Sequence, residues 1–412
     1  MTADPRPVEA LSSLRRRPPL WLAAGAVASG WAAAYSIVRW IVLFAFGPVH
    51  EDVVMYYVAA ETGLRHGWSA IYDQAIFKAV SSPFPAVAQI IDKHRPFAST
   101  PLLGWLFAPL TAFPEPVAFA LWTVLSLGAL VLAWHIATPY GGLRKLTLLM
   151  LALGLWPVLL VFYFGQPTML LIALVAATWW LCAHDRPLAA GAALALATGL
   201  KPQAVLLLAV ALLVSGRYRA VAGWVAGCGV LGIATVVALG LGGLIGWWHA
   251  IKEVQGLPVD TEFTLAHLLG AGLFTYVLWG LQGAMALMVA WWRRRELEIV
   301  FAAGLLGTAA TASYFHEADY SILVLAAWLV LRSAPHLWHR LWLLSGVIPM
   351  QLMTFGPNNL QPIWDFAVHA AQPVWDAAWL GILVAGCFAG RRMLVPRVAG
   401  AVRSDAPANR PL

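Results

Sequence analysis

The chain has 412 residues, 61% of them hydrophobic and only 11% charged, with a formal net charge of +7 and a mean hydropathy of +0.75. Soluble domains carry about 25% charged residues, so this much apolar surface cannot be hidden in one soluble core. The positive charge forms no basic stripe or reading module, which excludes a nucleic-acid partner and leaves it as loop charge beside a lipid bilayer.

Apolar runs recur from end to end, reach or pass the roughly 20 residues that a bilayer core demands, and do not alternate. They predict an all-α polytopic membrane protein and not an outer-membrane barrel. Cys182, Cys228 and Cys387 all fall inside apolar runs, so no disulfide framework or metal-ligand spacing is present. The 22 tryptophans suit interfacial belts.

In chain order, residues 1–19 form a polar tail whose Arg15, Arg16 and Arg17 keep it cytoplasmic. The 27 residues that follow, 20–46, are too long for a signal-peptide core and lack a cleavage site, which predicts an uncleaved first helix. Arg39 lies close enough to its outer end to snorkel. The helix delivers 47–98 to the extracytoplasmic side, a loop too long for a simple connector and therefore ordered. Val53, Tyr56, Tyr57, Ala60 and Leu64 fall at helical spacing, as do Phe84, Val87, Ile90 and Ile91, predicting short amphipathic helices on the membrane surface. Residues 102–113 make a short or re-entrant helix.

Further apolar runs cover about 116–138, 146–164, 167–183, 187–214, 220–248, 264–292, 297–315, 318–331, 341–355 and 374–390, for about 11 to 13 membrane segments in all. Basic residues at Arg217 and Arg219, at Arg293, Arg294 and Arg295, between Arg332 and Arg340, and between Arg391 and Arg403 mark cytoplasmic loops. His316 then shares the outer side with Asp52. One parity stays open: if 187–214 is one span broken at Lys201 and Pro202, the loops at Arg144 and His184 are external, and if it is two short spans they are internal. Residues 20–392 read as a single transmembrane domain and 393–412 as a second cytoplasmic tail, with the last ten or so residues disordered.

Polar motifs interrupt this frame. Glu51 and Asp52 stand immediately beyond the first helix, beside Tyr56, Tyr57, Arg65 and His66. Asp52 is either the N-cap of the run from Val53 or a general base, and the two roles can coexist. Lys201, inside an apolar run, needs a partner, for which a lipid phosphate would serve; the alternative is snorkelling from the short end of a broken helix. Phe164, Gly165, Gln166 and Pro167 form a tight turn in which Gln166 can offer an amide to sugar or phosphate. The stretch from Tyr314 to Tyr320 places His316, Glu317 and Asp319 between two apolar runs, as an ordinary polar loop or as part of a site, and it lacks the second histidine of a zinc helix. His94 and Arg95 precede a Pro-Phe-Ala-Ser-Thr-Pro segment (96–101).

In this order and spacing, the Asp52 loop with Tyr72 and Asp73, the 95–101 segment, the 164–167 turn, Gly-Leu-Lys-Pro (199–202) and the late His316 element resemble glycosyltransferase family 87, which includes actinobacterial mannosyltransferases that use polyprenyl-phosphate-mannose. Many relatives have a Pro-Pro pair where this chain has Ser99, Thr100 and Pro101. The resemblance implies a GT-C fold in a bacterial inner membrane and an extracytoplasmic active site. It implies inverting transfer of a sugar, mannose or alternatively arabinofuranose, from a polyprenyl-phosphate donor to a glycolipid or glycan acceptor. Asp52 would be the base and His316 would contact the donor phosphate or the acceptor. On charge grounds Lys201, Arg95 and His94 are further phosphate candidates, and Tyr56, Tyr57 and Gln166 candidates for sugar. The phosphate is a stable leaving group, so no metal or other cofactor is implied. The rival class is a transporter or lipid flippase, supported by Lys201 and the helix broken at Pro202, against which stand the long external loop and the lack of an internal repeat.

Overall fold

The computed structural model describes residues 18–46, 50–84, 96–255, 262–355 and 361–392, and all regular elements among them are helical. In chain order, α1 (Leu20–Phe46) precedes α2 (Glu51–His66), α3 (Gln74–Ser81) and α4 (Pro101–Phe107). Next come α5 (Glu115–Ala137), α6 (Gly142–Leu153), α7 (Trp156–Phe164), α8 (Thr168–Ala183), α9 (Pro187–Leu200) and α10 (Leu206–Val214). They are followed by α11 (Tyr218–Gln255), α12 (Leu265–Leu269), α13 (Leu273–Trp292), α14 (Leu297–Ala310), α15 (Ile322–Arg332), α16 (Leu337–Ser345), α17 (Val347–Leu352) and α18 (Pro362–Arg392).

Among the described residues, α1, α5, α11, α13 and α18 are long and apolar enough to cross a membrane, and α6 with α7, bent by 63°, makes a sixth if the pair is one span. The chain is an all-α polytopic membrane protein. The 11 to 13 segments expected from hydropathy include several runs that the structure cuts short. A helix of the length of α9 rises about 21 Å, against a hydrocarbon core of about 30 Å. The breaks have local causes: Gly165 in the left-handed region ends α7, and Pro202 follows the end of α9. In α11 the backbone departs from helical geometry at Gly240 (φ 58°, ψ −175°).

The bundle has a basic end. Arg332 donates to the Thr138 carbonyl at 3.3 Å and lies over the Trp179 ring, Arg144 lies over Trp21, and Arg217 faces Cys182. The loops at Arg144 and His184 therefore share one end with Arg217 and Arg332. Of the two readings of 187–214, this is the one with two short elements: α9 leaves the basic end, breaks at Lys201 and Pro202, and α10 returns.

Helix α2 departs from the expected surface helix. Every residue from Val53 to Ala60 is buried, as are Thr62 and Gly63, with the Trp68–Tyr72 turn, α3, α4 and α5 packed around it. It is a central strut and not an amphipathic float. Helix α3 does bury one face, through Phe77 and Ser81, and Asp73 caps it by accepting from the Ala75 and Ile76 amides at 2.9 and 3.1 Å. Val87, Ile90 and Ile91 lie outside the described residues. Arg39 is not simply snorkelling, for its guanidinium lies 4.1 Å from the centre of the Trp156 ring.

Candidate active site

At the end of the bundle away from the basic loops, a cavity of about 440 Å³ opens between the start of α2, the 96–100 segment, the α9–α10 break, α11 and the 313–316 loop. Its polar lining includes Glu51, Asp52, Tyr56, Gln166, Lys201, Tyr314 and His316. Trp247, Ile251 and Val254 add an apolar stripe at helical spacing along α11, and Leu200 and Leu206 extend it.

Backbone anchors shape this lining. Thr100 donates to the Gly199 carbonyl at 2.5 Å, Tyr72 to the Ser99 carbonyl at 2.6 Å, and Trp247 to the Ala98 carbonyl at 3.0 Å. Thr100 thus ties the segment to the end of α9. Across the cavity, Gly165 adopts φ 75°, and a Cβ there would come 2.0 Å from Cγ2 of Val53. Only glycine lets the turn approach α2 so closely, and Trp122 fixes it by donating to the Gly165 carbonyl at 2.8 Å.

That approach sets Gln166 against Asp52. His50, not Asp52, is the N-cap residue of α2, which removes the N-cap alternative for Asp52; its carboxylate sits in the first turn and lines the cavity. Burial pushes the Asp52 carboxyl up to about 7, helped by Glu51 and Asp319, while Lys201 and a hydrogen bond from Gln166 act in the opposite direction. Lys201 donates to Oε1 of Gln166 at 3.0 Å and to Oδ1 of Asp319. The second Asp319 oxygen accepts the His316 backbone N–H at 3.1 Å. Nε2 of His316 lies 3.0 Å from the Tyr314 hydroxyl.

Asp52, Gln166, Lys201 and His316, widely separated in sequence, thus line one cavity. Tyr56 lines it too, buried and hydrogen-bonded with Ser99. Tyr57 does not: one residue further around α2, its hydroxyl donates to the Phe113 carbonyl at 2.9 Å. Tyr57→Phe is accordingly expected to leave kcat/KM unchanged and to lower unfolding stability by about 1 kcal/mol, checked by transfer kinetics and thermal melts. His94 and Arg95 lie outside the described residues. Glu317 does not line the cavity; it accepts from Trp156 at 2.5 Å, and burial pushes its carboxyl up to about 7.

Asp319, buried behind the lining as the partner of Lys201, is the residue of this cluster to which the sequence alone assigns no role. The signal was there, since an apolar run carrying Lys201 needs a counter-charge, but several carboxylates qualified. Among the described residues, no three His, Cys, Asp or Glu side chains are grouped to hold a metal ion.

The model of glycosyltransferase family 87 matches residues 97–315, just over half of the chain. The chain belongs to glycosyltransferase family 87. No curated protein and no solved structure matches it. Membership decides between the two classes left open by the motifs: this is a membrane glycosyltransferase, and the broken α9–α10 element belongs to its cavity wall, not to a carrier. The match contains Gln166 and Lys201, whereas Asp52, Tyr56 and His316 lie outside it and join the site through the fold.

Proposed function

We propose that this family 87 enzyme transfers mannose from a polyprenyl-phosphate donor to a glycolipid or polysaccharide acceptor, at the extracytoplasmic face of a bacterial inner membrane. The observation that carries this reading is a cavity joining a carboxylate, amide and imidazole cluster to an apolar α11 stripe. An amphiphile with a sugar-phosphate head and an isoprenoid tail matches both. Sidedness is supported by the basic end of the bundle, which the positive-inside rule puts in the cytoplasm, opposite the cavity.

In the proposed reaction an acceptor hydroxyl attacks the anomeric carbon from the face opposite the phosphate. The new C–O glycosidic bond forms as the bond from the anomeric carbon to the phosphate oxygen breaks, the configuration inverts, and polyprenyl phosphate leaves with the electron pair. A sugar hydroxyl is a poor nucleophile, so Asp52 takes its proton as the bond forms. The leaving phosphate needs donors and cations more than an acid. His316 is proposed to supply one; Arg95 and His94, next to the segment that lines the cavity, are proposed as others. Tyr56 is proposed to contact sugar. Because the phosphate departs already charged, the reaction as drawn requires no divalent cation.

The test is transfer of labelled sugar by purified protein in detergent, with EDTA, a membrane extract as acceptor source, and polyprenyl-phosphate-mannose or polyprenyl-phosphate-arabinofuranose as donor. The mannosyl donor is expected to yield product. The donor is a phosphodiester that does not titrate near neutrality, so kcat/KM is expected to rise about tenfold per pH unit below the Asp52 pKa and to level off above about 7. Silence with both donors from folded protein would sink the proposal; arabinofuranose transfer alone would change the sugar.

A further inference from the structure

Lys201 brings a positive charge into an apolar wall, yet it meets a carboxylate without any ligand. Its ammonium donates to Asp319 and, at 3.0 Å, to Oε1 of Gln166. Asp319 is fully buried and uses both oxygens, Oδ1 for Lys201, with the Thr168 hydroxyl 3.4 Å away, and Oδ2 for the His316 backbone N–H. A primary amide can present either its oxygen or its NH2 group to a neighbour. With Oε1 held by Lys201, Gln166 turns its NH2 group toward Asp52, and the reverse orientation would set oxygen against oxygen.

We propose that the Lys201–Asp319 pair is a positioning device for the base: it locks the Gln166 amide so that it donates to Asp52, and it anchors the His316 backbone on the same carboxylate. The inference rests on Asp52 being the general base. It reassigns Lys201, which on sequence alone is a candidate ligand of the donor phosphate. Drawing the ammonium toward a phosphate would strand Asp319 as an uncompensated buried charge, so Lys201 stays with its carboxylate while the donor binds.

Asp52 is faced by Glu51 and Tyr56 from its own helix, by Lys201 from the α9–α10 break, by Gln166 from the turn before α8, and by Asp319 from the Glu317–Ser321 turn. Tyr314 and His316 share its cavity. Within this set Lys201 and Asp319 oppose each other, and changing either one alone must move the titration of Asp52 in a predictable direction.

The experiment is the pH dependence of kcat/KM for the donor in wild type, Asp319→Asn, Lys201→Met, the double variant and Gln166→Glu. Asp319→Asn leaves the Lys201 charge unbalanced, so the acid limb is expected to move down by about one pH unit; Lys201→Met is expected to move it up by about as much. The double variant removes the pair at constant net charge, which should return the limb near wild type while kcat stays low, because Gln166 has lost its anchor. Gln166→Glu keeps shape, sets a second carboxylate against Asp52 and should raise the limb.

Charge alone moves the limb in the single variants, so the charge-neutral double variant separates positioning from charge: wild-type kcat in the folded double variant, or an unmoved limb in folded Gln166→Glu, overturns the proposal. Should the single charge variants fail to fold, the isosteric Gln166→Glu decides alone: a raised limb supports the device and an unmoved one removes it. Activity that survives in Asp52→Asn would instead remove the assignment of the base, a failure distinct from this one.

Discussion

Asp52→Asn is expected to lower kcat/KM for transfer by about 10²- to 10⁴-fold, the range that general-base assistance supplies, while leaving the protein folded. The isosteric amide keeps the volume at the start of α2 and can still pair with Gln166, but it cannot accept the proton of an attacking hydroxyl. The same substitution makes an opposite prediction for stability. The Asp52 carboxyl is raised in the folded state from 3.8 to about 7. The folded state therefore binds this proton more tightly than the unfolded chain, and ionisation costs stability progressively as pH rises from about 4 to about 7. Above that window the cost is fully present, so Asp52→Asn should melt at or above the wild-type temperature at neutral and alkaline pH, and near it in acid. A variant that loses activity and melts lower at every pH would point to a structural role for Asp52. Thermal unfolding in detergent at several pH values, run beside the transfer assay, separates the two.

Gly165→Ala is expected to impair both stability and chemistry. The residue holds φ at 75°, where a side chain costs about 1–2 kcal/mol, and its new Cβ would lie 2.0 Å from Cγ2 of the fully buried Val53. Overpacking of this kind adds about 1–3 kcal/mol. Val53 directly follows Asp52, and Gly165 directly precedes Gln166, so relief of the clash pushes Asp52 and Gln166 apart. A displacement near 1 Å can cost about 10²-fold in rate. The companion variant is Val53→Ala, which removes the colliding methyl group. If the clash is the cause, Gly165→Ala with Val53→Ala recovers part of the rate lost by Gly165→Ala alone. If the double variant is as slow as the single one, the cause is the left-handed backbone and not the contact.

Much of this molecule is legible in the sequence. Composition and the length of the apolar runs establish a helical membrane protein, because neither a soluble core nor a half-polar barrel wall accommodates them. The order of the polar interruptions points to the family, and two of them mark places where an apolar helix stops beside the cavity: Gly165 ends α7 just before Gln166, and Lys201 ends α9. Hydropathy could not show how many of the runs cross the bilayer alone. A hydrophobic average treats a short helix that turns back, such as α9 into α10, like half of a long one; burial and end-to-end placement separate them.

The sequence by itself determined the chemistry available: a carboxylate at Asp52, an amide at Gln166, an ammonium at Lys201 and an imidazole at His316, each bordering or interrupting an apolar run. Tertiary structure alone decided who meets whom. Lys201 pairs with Asp319 across 118 positions of chain, Tyr56 faces the cavity while Tyr57 turns to Phe113, and α2 is a buried strut. The physical reason is that a buried charge needs some counter-charge, and helical spacing needs some apolar neighbour, but neither requirement names its partner. That choice belongs to the packing of helices distant in the chain, fixed here by contacts as close as that of Gly165 with Val53.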